Sequence, residues 1–182
     1  VPAKAQAADS IATLADSPFA AGKTYAMQVS CQKTPQVGQG CEVGGAIWLE
    51  VNPVNARIEA DLKGATGYYR PEDLHQDVTF KGEGVKFCWT NTGNAGVGNY
   101  GEVMCAIDKA PETIDEGKQQ VVVTRFLEGT TDLNQPDNLE IHPQTGIVYV
   151  IEDNPNGDIW SCLPDGADAD AKSDGCVKML SV

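Results

Sequence analysis

Apolar and polar residues alternate in short runs along this chain, and glycine, proline or asparagine closes most of them. Tyr25–Cys31 and Ala46–Val51 alternate with the period of two that suits a half-buried strand, and the Gly/Pro-containing loop between them predicts a hairpin. Val85–Thr92, Glu102–Ile107, Val121–Glu128, Ile147–Asp153, Asp158–Leu163 and Cys176–Val182 read as further strands. Asn52-Pro53 ends the second strand, and a short helix is expected near residues 55–63, capped by Asn55 or a neighbour. Its charged residues (Arg57, Glu59, Asp61, Lys63) alternate with apolar ones, so the pattern alone leaves helix and strand open there. Ala7–Leu14 reads as a weak helical turn, broken by Ser17-Pro18.

These runs repeat. Gln135-Pro136-Asp137-Asn138-Leu139 echoes Arg70-Pro71-Glu72-Asp73-Leu74, and two strand patterns follow each copy, the second opening with Gly101-Glu102 or Gly157-Asp158. Lys23–Val29 with Ala46–Val51 reads as a partial third copy. The expected fold is therefore all-β, a β-propeller, with residues 1–20 irregular and residues 21–182 supplying about three blades. A closed propeller needs at least about four blades. The expectation is thus part of a larger ring, completed by remaining blades or by another subunit. The last strand, running to Val182 without a terminating turn, is read the same way.

Charge and cysteines narrow the setting. Twenty-six acids against thirteen bases give a net charge of -13 over 182 residues, which repels nucleic acid and anionic membranes and suits calcium or a basic partner. No apolar run approaches the ~20 residues that span a bilayer. The six cysteines fall as Cys31/Cys41, Cys88/Cys105 and Cys162/Cys176, without a C-x-x-C. Sequential pairing across hairpins is expected among the 15 possible connectivities, because hairpin partners lie within disulfide reach. Three local bridges imply a periplasmic or extracellular location. The alanine-rich stretch from Val1 to Gly22 lacks the charged and apolar regions of a signal peptide, so one has been removed or sequence lies upstream.

Several motifs invite chemistry. Gly96-Val97-Gly98-Asn99-Tyr100-Gly101 spells a dinucleotide fingerprint, but a strand follows where that function needs a helix N-terminus. His75 and His142 follow the two repeat motifs at corresponding places, which favours structural roles. Asp165, Asp168, Asp170 and Asp174 crowd one loop but miss the EF-hand spacing, so a solvated tip is favoured. The strongest constellation is a repeated acidic corner: Glu72/Asp73, Asp137/Asn138 and Glu152/Asp153. Carboxylates converging on a propeller axis repel one another unless a hard cation such as calcium neutralises them. The competing reading makes them turn-forming acids at blade corners.

Gly64–Asp73, Cys88–Gly93, Asn99–Glu102, Pro136–Leu139, Glu152-Asp153 and Asp158–Gly166 resemble, in order, segments of the PhoX-type alkaline phosphatase family, and Gly22–Ala26 resembles its strand leading into this region. The resemblance covers roughly residues 20–182. It implies an exported β-propeller that hydrolyses phosphate monoesters with a buried calcium and iron cluster, iron belonging only to the complete ring. Glu72 would then be a metal-ligating carboxylate, with Asp137, Asn138 and Glu152 as weaker metal candidates; no catalytic residue is assigned. The family's T-P-W-G-T segment and the blades expected after Val182 are not in this sequence. Two readings follow: part of a PhoX-like phosphoesterase, inactive as this segment alone, or a non-enzymatic calcium-binding structural or interaction subunit of an extracellular assembly.

Overall fold

A computed structural model describes residues 22–29, 43–155, 157–164 and 175–181. The Ala7–Leu14 turn and the Asp165–Asp174 loop lie outside the described residues. Among the described residues ten strands form: β1 (Thr24–Val29), β2 (Gly44–Val51), β3 (Pro71–Gln76), β4 (Val85–Asn91), β5 (Glu102–Asp108), β6 (Val121–Glu128), β7 (Pro136–Ile141), β8 (Val148–Glu152), β9 (Ile159–Cys162) and β10 (Cys176–Leu180). The helix α1 (Ala56–Leu62) stands where the sequence places it, after a 3-10 turn at Pro53–Asn55. Asn52 caps that turn by accepting from the Val54 amide at 2.9 Å, whereas Asn55 makes no side-chain cap bond to α1. The all-β class holds.

All pairings are antiparallel, in a six-stranded sheet ordered β1-β2-β6-β5-β4-β3 and a four-stranded sheet ordered β10-β9-β8-β7. Two expectations need correction. The β1–β2 hairpin is not a separate third sheet: Gly44–Ala46 pair with Val121–Val123, so the hairpin extends the edge of β6. The Pro71 and Pro136 motifs are not corners before a strand but the first strands of their units, β3 and β7.

The repeat extends to register. Strands β3–β6 form one unit and β7–β10 the other. Pro71 stands opposite Asn91 and Leu74 opposite Trp89; Pro136 stands opposite Glu152 and Leu139 opposite Val150, so both first strands carry the same one-residue bulge. Arg70 and Gln135, which precede the two prolines, are the non-glycine residues with left-handed backbone among those described, at φ 57° and 52°. Each carbonyl accepts from the end of the neighbouring strand, Arg70 from Thr92 and Gln135 from Asp153, both at 2.9 Å. A second shared bulge lies on the fourth strands, skipping Phe126 in β6 and Met179 in β10.

Each unit has a front and a rear face because side chains alternate along strands. The first unit's front (Trp89, Met104, Ala106, Val121, Val123) is covered by Met27, Val29 and Trp48 of the hairpin and by Tyr68, whose ring meets Trp89 edge-on at 5.2 Å. Its rear (Cys88, Val103, Cys105, Phe126, Leu127) packs against the second unit's front (Leu139, Val148, Val150, Trp160, Cys162) in one apolar layer. Gly101, at φ 84°, sits where a Cβ would meet the Pro136 ring at 2.5 Å, which lets the two units approach.

Two of the three expected disulfides form among the described residues. Cys88–Cys105 staples β4 to β5 and Cys162–Cys176 staples β9 to β10, each bordering the apolar layer. Both follow the sequential pairing. The third expected bridge, from Cys31 to Cys41, is not among them: Cys31 and Cys41 both lie outside the described residues.

Two stability outcomes follow. Gln135→Val should lower stability by about 1–2 kcal/mol in urea titration, while Gln135→Gly leaves it equal or raises it, because a β-branched side chain resists the left-handed region. Equal midpoints for the two variants would refute that backbone assignment. Replacing Cys88 and Cys105 by alanine, which opens a bridge spanning 17 residues, should cost roughly 2–4 kcal/mol in the same titration.

Candidate functional site

The end of the molecule where β3 and β7 begin gathers the repeated motifs. Asp73 accepts the Leu139 amide at 3.0 Å through one carboxylate oxygen and the Leu74 amide at 2.9 Å through the other. The Thr90 hydroxyl accepts from the Asp73 amide and donates to the Asp137 carbonyl at 2.5 Å. The Thr92 hydroxyl lies 3.4 Å from the Asp137 carboxylate. Arg70 reaches the Gly93 carbonyl at 3.2 Å and the Asp153 carboxylate at 3.4 Å. His75 meets Glu140 at 3.1 Å across the same seam. Asp73, Thr90, Thr92, Arg70 and His75 thus each tie the first unit to the second.

The proposed metal ligands occupy unlike environments. Glu72 and Asn138 are exposed, and Asp137 is half-buried. Glu152 is buried and accepts from the Asn134 amide at 2.7 Å and the Asn154 side-chain amide at 2.8 Å. By register Glu152 corresponds to Asn91, at the end of a second strand, so it is not a third copy of the Glu72 and Asp137 position. Among the described residues no three His, Cys, Asp or Glu side chains form a group able to hold a metal ion. Glu72, Asp137, Asn138 and Glu152 therefore do not amount to a metal cage within these residues.

The remaining buried acids already have partners. Glu102 accepts from Arg125 at 2.7 Å and from the Asn91 amide at 2.9 Å. Asp108 accepts from the Trp48 indole at 2.9 Å, the Gln120 amide at 2.9 Å and the Ala110 backbone at 3.0 Å. Asp158, the second-unit counterpart of Glu102, binds Lys178, which corresponds to Arg125. The Lys178 hydrogen bond and then that of Ser181 hold the Asp158 carboxyl below its ordinary value, against the opposing effect of burial. Sequence reasoning missed these cation partners because Arg125 and Lys178 lie a whole strand away from the acids. The signal was present in the matched Gly101-Glu102 and Gly157-Asp158 starts.

The histidines correct a smaller expectation. His75 corresponds in register to Glu140, its own ion-pair partner, and His142 corresponds to Asp77. His142 Nδ1 accepts from Gln144 and Thr145 at 3.3 Å, and Asp77 accepts from Thr79 at 2.9 Å, so both close the turn after a first strand. The Gly96–Gly101 segment holds only a three-residue 3-10 turn, Ala95–Val97, and no helix for a pyrophosphate. An open cleft of about 520 Å³ lies elsewhere, beside Lys23, Glu50, Glu59, Lys63 and Glu116, and contains none of the predicted site residues. No described helix is long and apolar enough to cross a membrane. The case for an oxidising compartment rests on the Cys88–Cys105 and Cys162–Cys176 bridges rather than on three, since Cys31 and Cys41 are not among the described residues.

Compared with known proteins, the chain matches no family model, no curated protein and no solved structure.

The Asp158–Lys178 pair sets a pH dependence. With the folded Asp158 pKa depressed below 3.8, its stabilisation is present above 3.8 and is lost as pH falls through the lower folded value. Lys178→Met should therefore melt below the parent at pH 7, and the gap should close in acid. A gap that stays constant down the acid limb would show that the pair adds nothing.

Proposed function

We propose that this chain is a portion of an exported, PhoX-like β-propeller in which the β3–β6 and β7–β10 units are successive blades. One observation carries this reading. The two units share register, bulges and left-handed residues, and they stack front to rear with their first strands side by side, as blades around an axis do. On this reading the complete ring binds calcium, holds iron when whole, and hydrolyses phosphate monoesters. Bound cations would neutralise charge on the transferring phosphoryl group. Glu72, exposed at the first-strand start, is available to contribute a ligand; Glu152, already holding Asn134 and Asn154, is poorly placed to do so. Ligands must then come from blades beyond these residues, and no step of the reaction is assigned to this segment.

A second reading has its own support: the buried carboxylates named above are committed to internal partners, as in a scaffold. It makes the chain a non-enzymatic calcium-stiffened structural or interaction subunit of an extracellular assembly, for fold does not fix function.

Recombinant 1–182 should show no turnover of p-nitrophenyl phosphate with calcium and iron supplied; robust turnover would overturn the segment's predicted inactivity. Metal analysis of the native protein then separates the readings. Calcium with iron, together with phosphatase activity, supports the enzyme, whereas iron-free, inactive protein refutes it and leaves the scaffold.

A further inference from the structure

We propose that the rear face of the second unit is a docking surface for a further four-stranded unit of the same kind, presenting an apolar front face. Equivalent positions in the two units differ sharply in exposure. Phe126 and Leu127 of the first unit are 5% and 1% exposed because the second unit's front covers them. Their counterparts across the shared bulge, Met179 and Leu180, are 59% and 52% exposed. Ile151, 39% exposed, corresponds to Thr90, which is fully buried at the seam. Tyr149 and Ile159, half-buried, complete a rear patch where the first unit has Cys88 and Val103.

Apolar surface of this kind, contiguous and rimmed by polar groups, marks an interface. Asn138 stands exposed at its rim, in the place where Asp73 bonds the second unit. The molecule thus carries one finished copy of the junction and one half-copy. β10 also ends its sheet, with nothing hydrogen-bonded beyond it among the described residues, whereas β2 covers the matching edge of β6.

The same geometry selects the occupant. Among the described residues a second copy of this chain has no front face to offer: the first unit's front lies under the β1–β2 hairpin, and the second unit's lies against the first. The partner is therefore a distinct unit, within a longer polypeptide or in another subunit. Its front needs aliphatic and aromatic residues at the places of Leu139, Val148, Val150 and Trp160. The propeller reading above requires this docking, but the docking requires neither ring closure nor phosphoester chemistry, so it survives if the metal and activity measurements refute the enzyme.

Hydroxyl-radical footprinting of the native protein and of recombinant 1–182, read by mass spectrometry at Met179, tests it. Oxidation of Met179 should be several-fold slower in the native protein, with an intact mass above 19.3 kDa or a second, different chain present. Met179→Glu should leave the melting temperature of recombinant 1–182 unchanged and lower that of the native protein. Equal exposure of Met179 in both samples overturns the proposal. So does equal protection, which means that the chain covers its own face, or protection in a homodimer of 19.3 kDa chains.

Discussion

The apolar layer between the two four-stranded units is the constraint on which the rest of this structure depends. A sheet of three or four strands cannot bury a core by itself; it needs a second layer. Here the first unit's rear and the second unit's front supply one another, with Val103, Leu127, Leu133 and Val150 almost wholly withdrawn from water. Each such side chain contributes about 1.5–3 kcal/mol on burial. Both described disulfides border that layer rather than the outer surfaces, so the covalent and the hydrophobic restraints act on the same junction.

Stacking front to rear imposes a polar requirement at the end where the first strands start. Backbone groups of β7 arrive beside β3 and must find partners, since a buried unpaired amide or carbonyl costs as much as a lost hydrogen bond. Asp73 takes the Leu139 amide and Thr90 serves the Asp137 carbonyl. The left-handed Arg70 and Gln135 turn their carbonyls back to Thr92 and Asp153. Acidic residues are thus concentrated here partly because they accept from backbone. Deeper in, Glu102 and Asp158 open the third strands and are balanced by cations on the fourth. The net charge of -13 therefore combines surface acids with buried ones whose charge is already answered.

Much of the strand content was legible because alternation survives in one-dimensional sequence. Val85–Thr92 and Ile147–Asp153 nearly coincide with β4 and β8, and the 55–63 helix appears as α1. The first strands were misread as corners because Pro-Glu-Asp-Leu and Pro-Asp-Asn-Leu are rich in turn residues. Their strand identity comes from pairing through a bulge, which is a tertiary fact. Two cysteine pairs, Cys88 with Cys105 and Cys162 with Cys176, were legible because hairpin neighbours lie close in sequence as well as in space. The acid–cation pairs were not, since Glu102 and Arg125 are 23 positions apart and nothing local links them. The candidate metal set joins motif likeness to an assumed convergence of acidic corners, and the register separates Glu152 from the equivalent Glu72 and Asp137.

The asymmetry between the two units is more informative than their likeness. Equivalent backbone positions carry different side chains wherever their surroundings differ. Cys88 and Cys105 on the filled rear correspond to Tyr149 and Ser161 on the open one. Met179 and Leu180 keep the apolar character of Phe126 and Leu127 without the burial that would stabilise it. Polar residues would be the better choice for a face that met only water, because exposed apolar patches bring association without gain. The second unit's rear is therefore built to a pattern that solvent alone does not explain. The same pattern is complete at the first junction, where the first unit's rear is filled by the second unit's front, and the proposed docking of a further unit would give the exposed rear the same physical reason.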